Sequence, residues 1–235
     1  MLLLFDIDGT LLSTTGCGAS AMQHAARSCF GDHISFEGIS VAGRLDPLIL
    51  ADVFAKHGVA DTPEHHAKVR SVYLGALEER LANAAKAMAL PGVHELLGML
   101  VPHASRGAAI MALLTGNFEE SGLMKLERCG IEPWMFAFGV YGEHARTSPP
   151  RREDLVPVGM ERAARLRGRA TRPEEVVIIG DTPADVRCAL EHGGRCLAVA
   201  TGHFSVADLQ AAGAHWVVED LTQTDRIVEW LLNAG

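Results

Sequence analysis

No lysine follows Lys125 in this chain of 235 residues, so any cation the later part of the chain needs falls to arginine. Cysteine is sparse: five residues, odd in number, scattered and without a CxxC pair. That excludes a disulfide framework and fits a reducing compartment, with most thiols buried as small apolar groups. The eleven histidines include no HExxH, and the adjacent pair His65–His66 reads as helix surface. No stretch approaches the length of a membrane span. The four apolar residues before Asp6 are too few for a secretory leader, so the expectation is a soluble, cytoplasmic protein. Positive charge is also short, at a formal net of −8, which argues against a nucleic-acid partner. The arginine cluster in ERAARLRGRATR, residues 161–172, reads as a solvated helix face and the loop after it. Internal repeats and low-complexity linkers are absent.

Hydrophobic residues are plentiful, at 48%, enough for one large domain or a domain with a smaller insert. They fall in short continuous runs at 2–5, 108–114, 136–141, 176–179, 196–200 and 215–218. Continuous rather than alternating runs predict strands covered on both faces. Segments of helical spacing lie between them, at 118–129, 152–166, 183–192, 205–212 and 222–232. The rhythm predicts an α/β fold: a Rossmann-like, mostly parallel sheet with helices on both faces. Residues 14–87 break it, with helical spacing and no good strand run. LPGV at 90–93 then marks re-entry into the α/β pattern. The expected division is an α/β core from 1–13 and 88–235 and a helical domain from 14–87.

Ligands of parallel sheets bind beyond the carboxyl ends of the strands. Asp6 and Asp8 lie there in LLLFDIDGTLL, Thr115 and Asn117 in LLTGN, and Asp181 and Asp185 in IIGDTPAD. Each motif alone has a plainer reading. DxDGT suits a turn, and Asp181 or Thr182 suits a helix cap with Pro183 behind it. Together, in this order, they predict three strand ends converging on one point. Carboxylates that converge repel unless a cation intervenes, and an all-oxygen set favours Mg²⁺. A carboxylate beside such a cation can attack phosphorus, and a second can move protons on and off the leaving group and water. Gly9 permits a tight turn, and its backbone N–H groups with the hydroxyls of Thr10 and Thr115 are expected to hold phosphate oxygens.

In these motifs the sequence resembles the haloacid dehalogenase superfamily of phosphohydrolases. FDIDGTLL resembles its first motif, LLTGN its second and IIGDTPADV its fourth, in order along nearly the whole chain. The insert resembles the helical cap of phosphoglycolate-phosphatase-like and β-phosphoglucomutase-like members, and AGRLDPLIL (42–50) resembles the GxxD stretch of that cap. The resemblance implies Asp6 as nucleophile and magnesium ligand. Asp8 becomes the general acid/base, binding metal through its carbonyl. Thr115 holds the phosphoryl group with Gly116 and Asn117 beside it. Asp181 is a metal ligand, and Asp185 binds through water or orients its neighbours. Arg44 and Asp46 in the cap stretch are candidates for substrate contact. The third motif is usually a lysine, and here none is available, so Arg152 at the start of a helix is the expected replacement, with Arg146 and Arg151 as alternatives. Lys125 reads as surface.

The expected activity is Mg²⁺-dependent hydrolysis of a small phosphorylated metabolite, a phosphate monoester. A phosphomutase on the same scaffold is the alternative, and a non-catalytic binding protein a weaker one. Phosphonate cleavage would need a Schiff-base lysine from the cap, where Lys56, Lys68 and Lys86 read as surface charges.

Overall fold

A computed structural model of the chain describes residues 1–233. Its centre is a six-stranded sheet, all parallel, made of β1 (Leu2–Phe5), β4 (Ile110–Leu114), β5 (Gly139–Val140), β6 (Val176–Gly180), β7 (Arg195–Val199) and β8 (Trp216–Val218). The strand order is β5-β4-β1-β6-β7-β8. β1 is therefore interior, and all four of its residues are fully buried, which is why its sequence is an unbroken apolar run. The predicted run at 136–141 shrinks to the two residues of β5.

Helices cover both faces. α4 (Val93–Ser105), α5 (Glu119–Arg128) and α9 (Thr224–Leu232) pack on one, with Leu96, Leu97, Leu126 and Ile227 against Leu3 and Phe5. α6 (Leu155–Arg167), α7 (Pro183–Glu191) and α8 (Val206–Ala211) pack on the other, with Leu155, Val186 and Leu209 against Leu2 and Leu4. Successive residues of β1 thus feed opposite cores, as strand alternation requires.

Between β1 and α4 the chain forms α1 (Cys17–Phe30), α2 (Asp46–His57) and α3 (Pro63–Ala82). These share a separate apolar cluster built on Leu50, Phe54, Val69, Tyr73 and Leu77, which Phe118 from the start of α5 also joins. A short antiparallel ribbon, β2 (Leu12–Ser13) with β3 (Met88–Ala89), ties the two ends of this helical segment together. The sequence does not predict the ribbon, because two residues are too few to leave a periodic signal.

Parallel pairing sets β1 level with both neighbours: Phe5 is in register with Leu113 of β4 and with Ile179 of β6. The residues just past these strand ends, Asp6, Thr115 and Asp181, consequently share one edge of the sheet. Among the described residues no helix is long and apolar enough to cross a membrane. The arginines of 161–172 are engaged locally: Arg165 with Glu161, Arg162 with the Gly139 carbonyl, Arg167 with the Met1 carbonyl, and Arg169 and Arg172 with Glu175.

Candidate active site

A cleft of about 330 Å³ opens at that edge, lined on the sheet side by Asp6, Asp8, Thr115, Arg152 and Asp181 and roofed by the helical segment. The turn after β1 is drawn tight by the Ile7 carbonyl, which accepts from the N–H groups of Thr10, Leu11 and Leu12. Gly9 there has φ +78, and a Cβ would overlap the carboxylate of Asp181. Gly202, in the loop after β7, presses on Asp181 from the other side in the same way. Only residues without side chains let this carboxylate sit between two backbone segments.

Asp6, Asp181 and Asp185 each bring a carboxylate oxygen within 4.8 Å of the others. Burial raises the pKa of Asp6 to about 6; Arg152 opposes this, and the charges of Asp185 and Asp8 add to it. Burial also raises Asp181, to about 8, with Asp6 and Asp185 contributing. Such a set favours protons or a hard cation. The donor chemistry of the three carboxylates fits a hard cation such as Mg²⁺. Asp185 is differently placed. Its Oδ2 accepts from the N–H and hydroxyl of Thr182, and its Oδ1 accepts from Arg152 at 2.7 Å. Both its oxygens are engaged with protein donors, which fixes the orientation of its carboxylate. Thr182 and Asp185 also form the capping box of α7, so the helix-cap reading of this motif holds for Thr182.

The raised values give a pH prediction for the metal-free protein. Asp6 and Asp181 hold protons more tightly folded than unfolded. Their contribution to stability is complete below the ordinary carboxylate range and is lost as pH rises through about 6 and then about 8. The melting temperature without Mg²⁺ should therefore fall from about pH 5 to about pH 9, and Mg²⁺ should restore most of it at the alkaline end. A metal-free melting temperature flat or rising over that window would contradict the assignment.

Arg152 lies in a single 3-10 turn ahead of α6, and only 6% of it is exposed. Its Nη2 stands 3.0 Å from Asp6 Oδ1 and 2.7 Å from Asp185 Oδ1, and its Nε has no partner among the described residues. The sequence predicts a partly exposed residue here. The turn instead points the guanidinium inward, where the carboxylates of Asp6 and Asp185 compensate its burial. The alternatives lie outside. Arg151 pairs with Glu191 and Arg146 with Glu161, both at the surface. Arg146→Ala and Arg151→Ala should each change kcat by less than about threefold in the same assay that reads Arg152, since exposed pairs carry little energy.

The remaining candidates divide. Thr115 is buried, and its hydroxyl accepts from the Asn117 amide at 2.8 Å, leaving its own proton to donate into the cleft. Thr10 does not line the cleft: it is fully buried and donates to Asp181 Oδ1 at 3.2 Å. Asn117 turns its amide to Asp8 Oδ2 at 2.8 Å as well as to Thr115. Arg44 borders the cleft but is paired with Asp52. Asp46 docks the helical segment onto the core. Its N–H donates to the Gly116 carbonyl at 2.7 Å, and its Oδ2 accepts from the Phe118 N–H at 3.0 Å. Burial raises its pKa to about 7, against the pull of Lys125. Gly116 allows this approach, because a Cβ there would collide with the Arg44 carbonyl.

Thr201, His203 and Lys125 are among the cleft residues that the sequence does not predict. Thr201 donates to the Gly9 carbonyl at 2.6 Å, and His203 follows it along the wall. Lys125, predicted at the surface, is 4% exposed and lines the cleft. Its Nζ lies 2.7 Å from Asp8 Oδ2 and 2.5 Å from Asn117 Oδ1. The signal is present on α5, whose buried side reads Ser121, Gly122, Lys125, Leu126. Lysine falls in a stripe otherwise small or apolar. Burial alone would lower the pKa of Lys125, but Asp8, Tyr73 and Asp46 raise it. A firmly protonated ammonium is no Schiff-base nucleophile. Lys56 and Lys68 bond to the carbonyls of Glu37 and Cys29, away from the cleft.

Residues 139–224 match the HAD-hydrolase-like family. No curated protein matches the chain in sequence. Solved structures share its fold over nearly its full length. A hydrolase from Pseudomonas syringae is 20% identical, covers 97% of this chain and 98% of its own, and has a TM-score of 0.69. A putative β-phosphoglucomutase from Thermotoga maritima is 20% identical over the same shares, with a TM-score of 0.61. CbbY from Rhodobacter sphaeroides, crystallised as a point variant with xylulose-(1,5)bisphosphate, is 18% identical. It covers 94% of this chain and 95% of its own, with a TM-score of 0.71.

Proposed function

We propose that this chain, a haloacid-dehalogenase-like protein by fold, is a Mg²⁺-dependent phosphohydrolase that cleaves a small organic phosphate monoester through a phosphorylated Asp6. The observation that carries the reading is the packing of Asp6 against Asp181 and Arg152 at one strand-end cleft. Buried carboxylates of this density make sense where a cation and a phosphoryl group are to be held between them.

In the first step an Asp6 oxygen attacks phosphorus. The P–O bond to the alcohol breaks, and Asp8 gives the leaving oxygen its proton. In the second step Asp8 takes a proton from water, which attacks the same phosphorus and returns Asp6 as a free carboxylate with inorganic phosphate. Bound Mg²⁺ would supply the positive charge that lets two anions meet. Arg152 neutralises Asp6 and the phosphoryl oxygens from the far side, and the Thr115 hydroxyl donates to the transferring group. We assign residues 14–87 as the cap over this chemistry and 1–13 with 88–235 as its catalytic core. The five free cysteines favour a cytoplasmic setting.

Phosphate release should be measured across sugar phosphates, phosphoglycolate, nucleotides and pyrophosphate, with Mg²⁺ and with chelator. Release from at least one monoester that chelation abolishes is the expected result; activity indifferent to chelation would refute the metal assignment. A phosphomutase reading is favoured by one feature, the docking of Asp46 on Gly116 and Phe118, which holds the helical segment over the cleft. Transfer of the phosphoryl group to a second sugar hydroxyl faster than to water would establish it.

A further inference from the structure

We infer that Lys125 is a positioning residue that clamps one oxygen of Asp8 so that the other faces the reacting alcohol or water. The inference rests on the hydrolase reading, in which Asp8 carries the protons. Asp8 Oδ2 receives two donors, Lys125 Nζ at 2.7 Å and Asn117 Nδ2 at 2.8 Å, and Lys125 also holds the Asn117 amide oxygen at 2.5 Å. The three groups close a ring that fixes the carboxylate plane. Asp8 Oδ1 makes no hydrogen bond among the described residues. The Asp8 side chain is 44% exposed and the Lys125 side chain 5%. One oxygen is therefore anchored from a buried base, and the other is open to the cleft.

The surroundings are shaped for the ammonium. A Cβ at Gly18, in the first turn of α1, would stand 3.1 Å from Lys125 Nζ and 3.3 Å from its Cε. The phenol of Tyr73 lies close to the same spot. The buried carboxylate of Asp46 is a neighbour of Lys125, yet its hydrogen bond goes to Phe118 and not to the lysine. Simple compensation of Asp46 thus leaves the direct bonds to Asp8 and Asn117 unexplained. A general acid that must meet an alcohol oxygen in one orientation does explain them, since small misplacements cost rate steeply.

The test uses the dependence on leaving group. An alkyl alcohol needs a proton as its P–O bond breaks; p-nitrophenolate does not. kcat/KM reports phosphorylation of the enzyme alone, so water attack does not blur the comparison. Lys125→Met should lower kcat/KM for propyl phosphate by about 10²-fold, and for p-nitrophenyl phosphate by less than about threefold. Lys125→Arg should recover part of the loss. Asp8→Asn should show the same discrimination and provides the reference. Equal losses on both esters for Lys125→Met, with Asp8→Asn still discriminating, would overturn the inference. Should Lys125→Met not fold, Gly18→Ala displaces the ammonium while favouring the helix, and should discriminate in the same sense with an undiminished melting temperature. If the wild-type protein hydrolyses neither these two esters nor any monoester of the screen, the hydrolase reading fails by itself. A crystal structure of Lys125→Met then decides the positioning: a displaced Asp8 carboxylate supports it, and an unmoved one overturns it.

Discussion

Asp6→Asn is expected to lower phosphate release by about 10⁴-fold or more while the protein keeps its fold. The amide preserves the shape of a side chain that is 6% exposed, but it cannot attack phosphorus. The effect on stability has two opposed parts. The substitution removes one partner of Arg152, which retains Asp185 at 2.7 Å. It also removes a charge that repels Asp181 and Asp185. The melting temperature in the absence of metal should therefore change little. Turnover near the wild-type rate, with mass spectrometry showing no deamidation back to Asp, would contradict the assignment of Asp6.

Arg152→Ala should cost both rate and stability. Removing a donor that balances charge in a transition state commonly accounts for about 10²–10³ in kcat. The guanidinium is also, among the described residues, the one cation bonded to Asp6 and Asp185, both buried. Deleting one member of a buried pair leaves the other uncompensated and costs about 3–5 kcal/mol. Urea unfolding of the metal-free variant should show a loss of that order, partly recovered by Mg²⁺. Arg152→Lys should regain part of the activity, because the charge returns with one fewer planar contact. A variant as stable as wild type would show that the carboxylates are neutralised by another route.

The sequence alone places Arg152 at an exposed helix start and so predicts the rate effect without the stability effect. The difference comes from three residues, 152–154, that form a 3-10 turn ahead of α6 instead of its first turn. A shift of this size changes which way a side chain points, and periodicity does not resolve it. The strands and the three motif ends were legible for a physical reason: Asp6, Thr115 and Asp181 each interrupt an apolar run where a parallel sheet exposes its edge. Thr10 shows the limit of that reasoning. Its motif points to the cleft, yet the tight turn at Gly9 sends the hydroxyl to Asp181. Lys125 shows the opposite case. Its place in the buried stripe of α5 is readable, but charge is ordinarily assigned to solvent, and its partner Asp8 lies 117 residues away in sequence. The docking of Asp46 on Gly116 is likewise a contact between segments distant in sequence, which no local pattern encodes.

A covalent bond between Asp6 and phosphorus is the centre of the proposed mechanism. Protein mixed with a substrate from the screen and Mg²⁺, quenched in acid within the turnover time, can be digested and mapped by mass spectrometry. The predicted result is one added phosphoryl group on the peptide that contains Asp6, labile at alkaline pH, absent in Asp6→Asn and lost to water at a rate that matches kcat. Turnover with an unmodified Asp6 peptide at every quench time, or a phosphoryl group mapped to another residue, would contradict it.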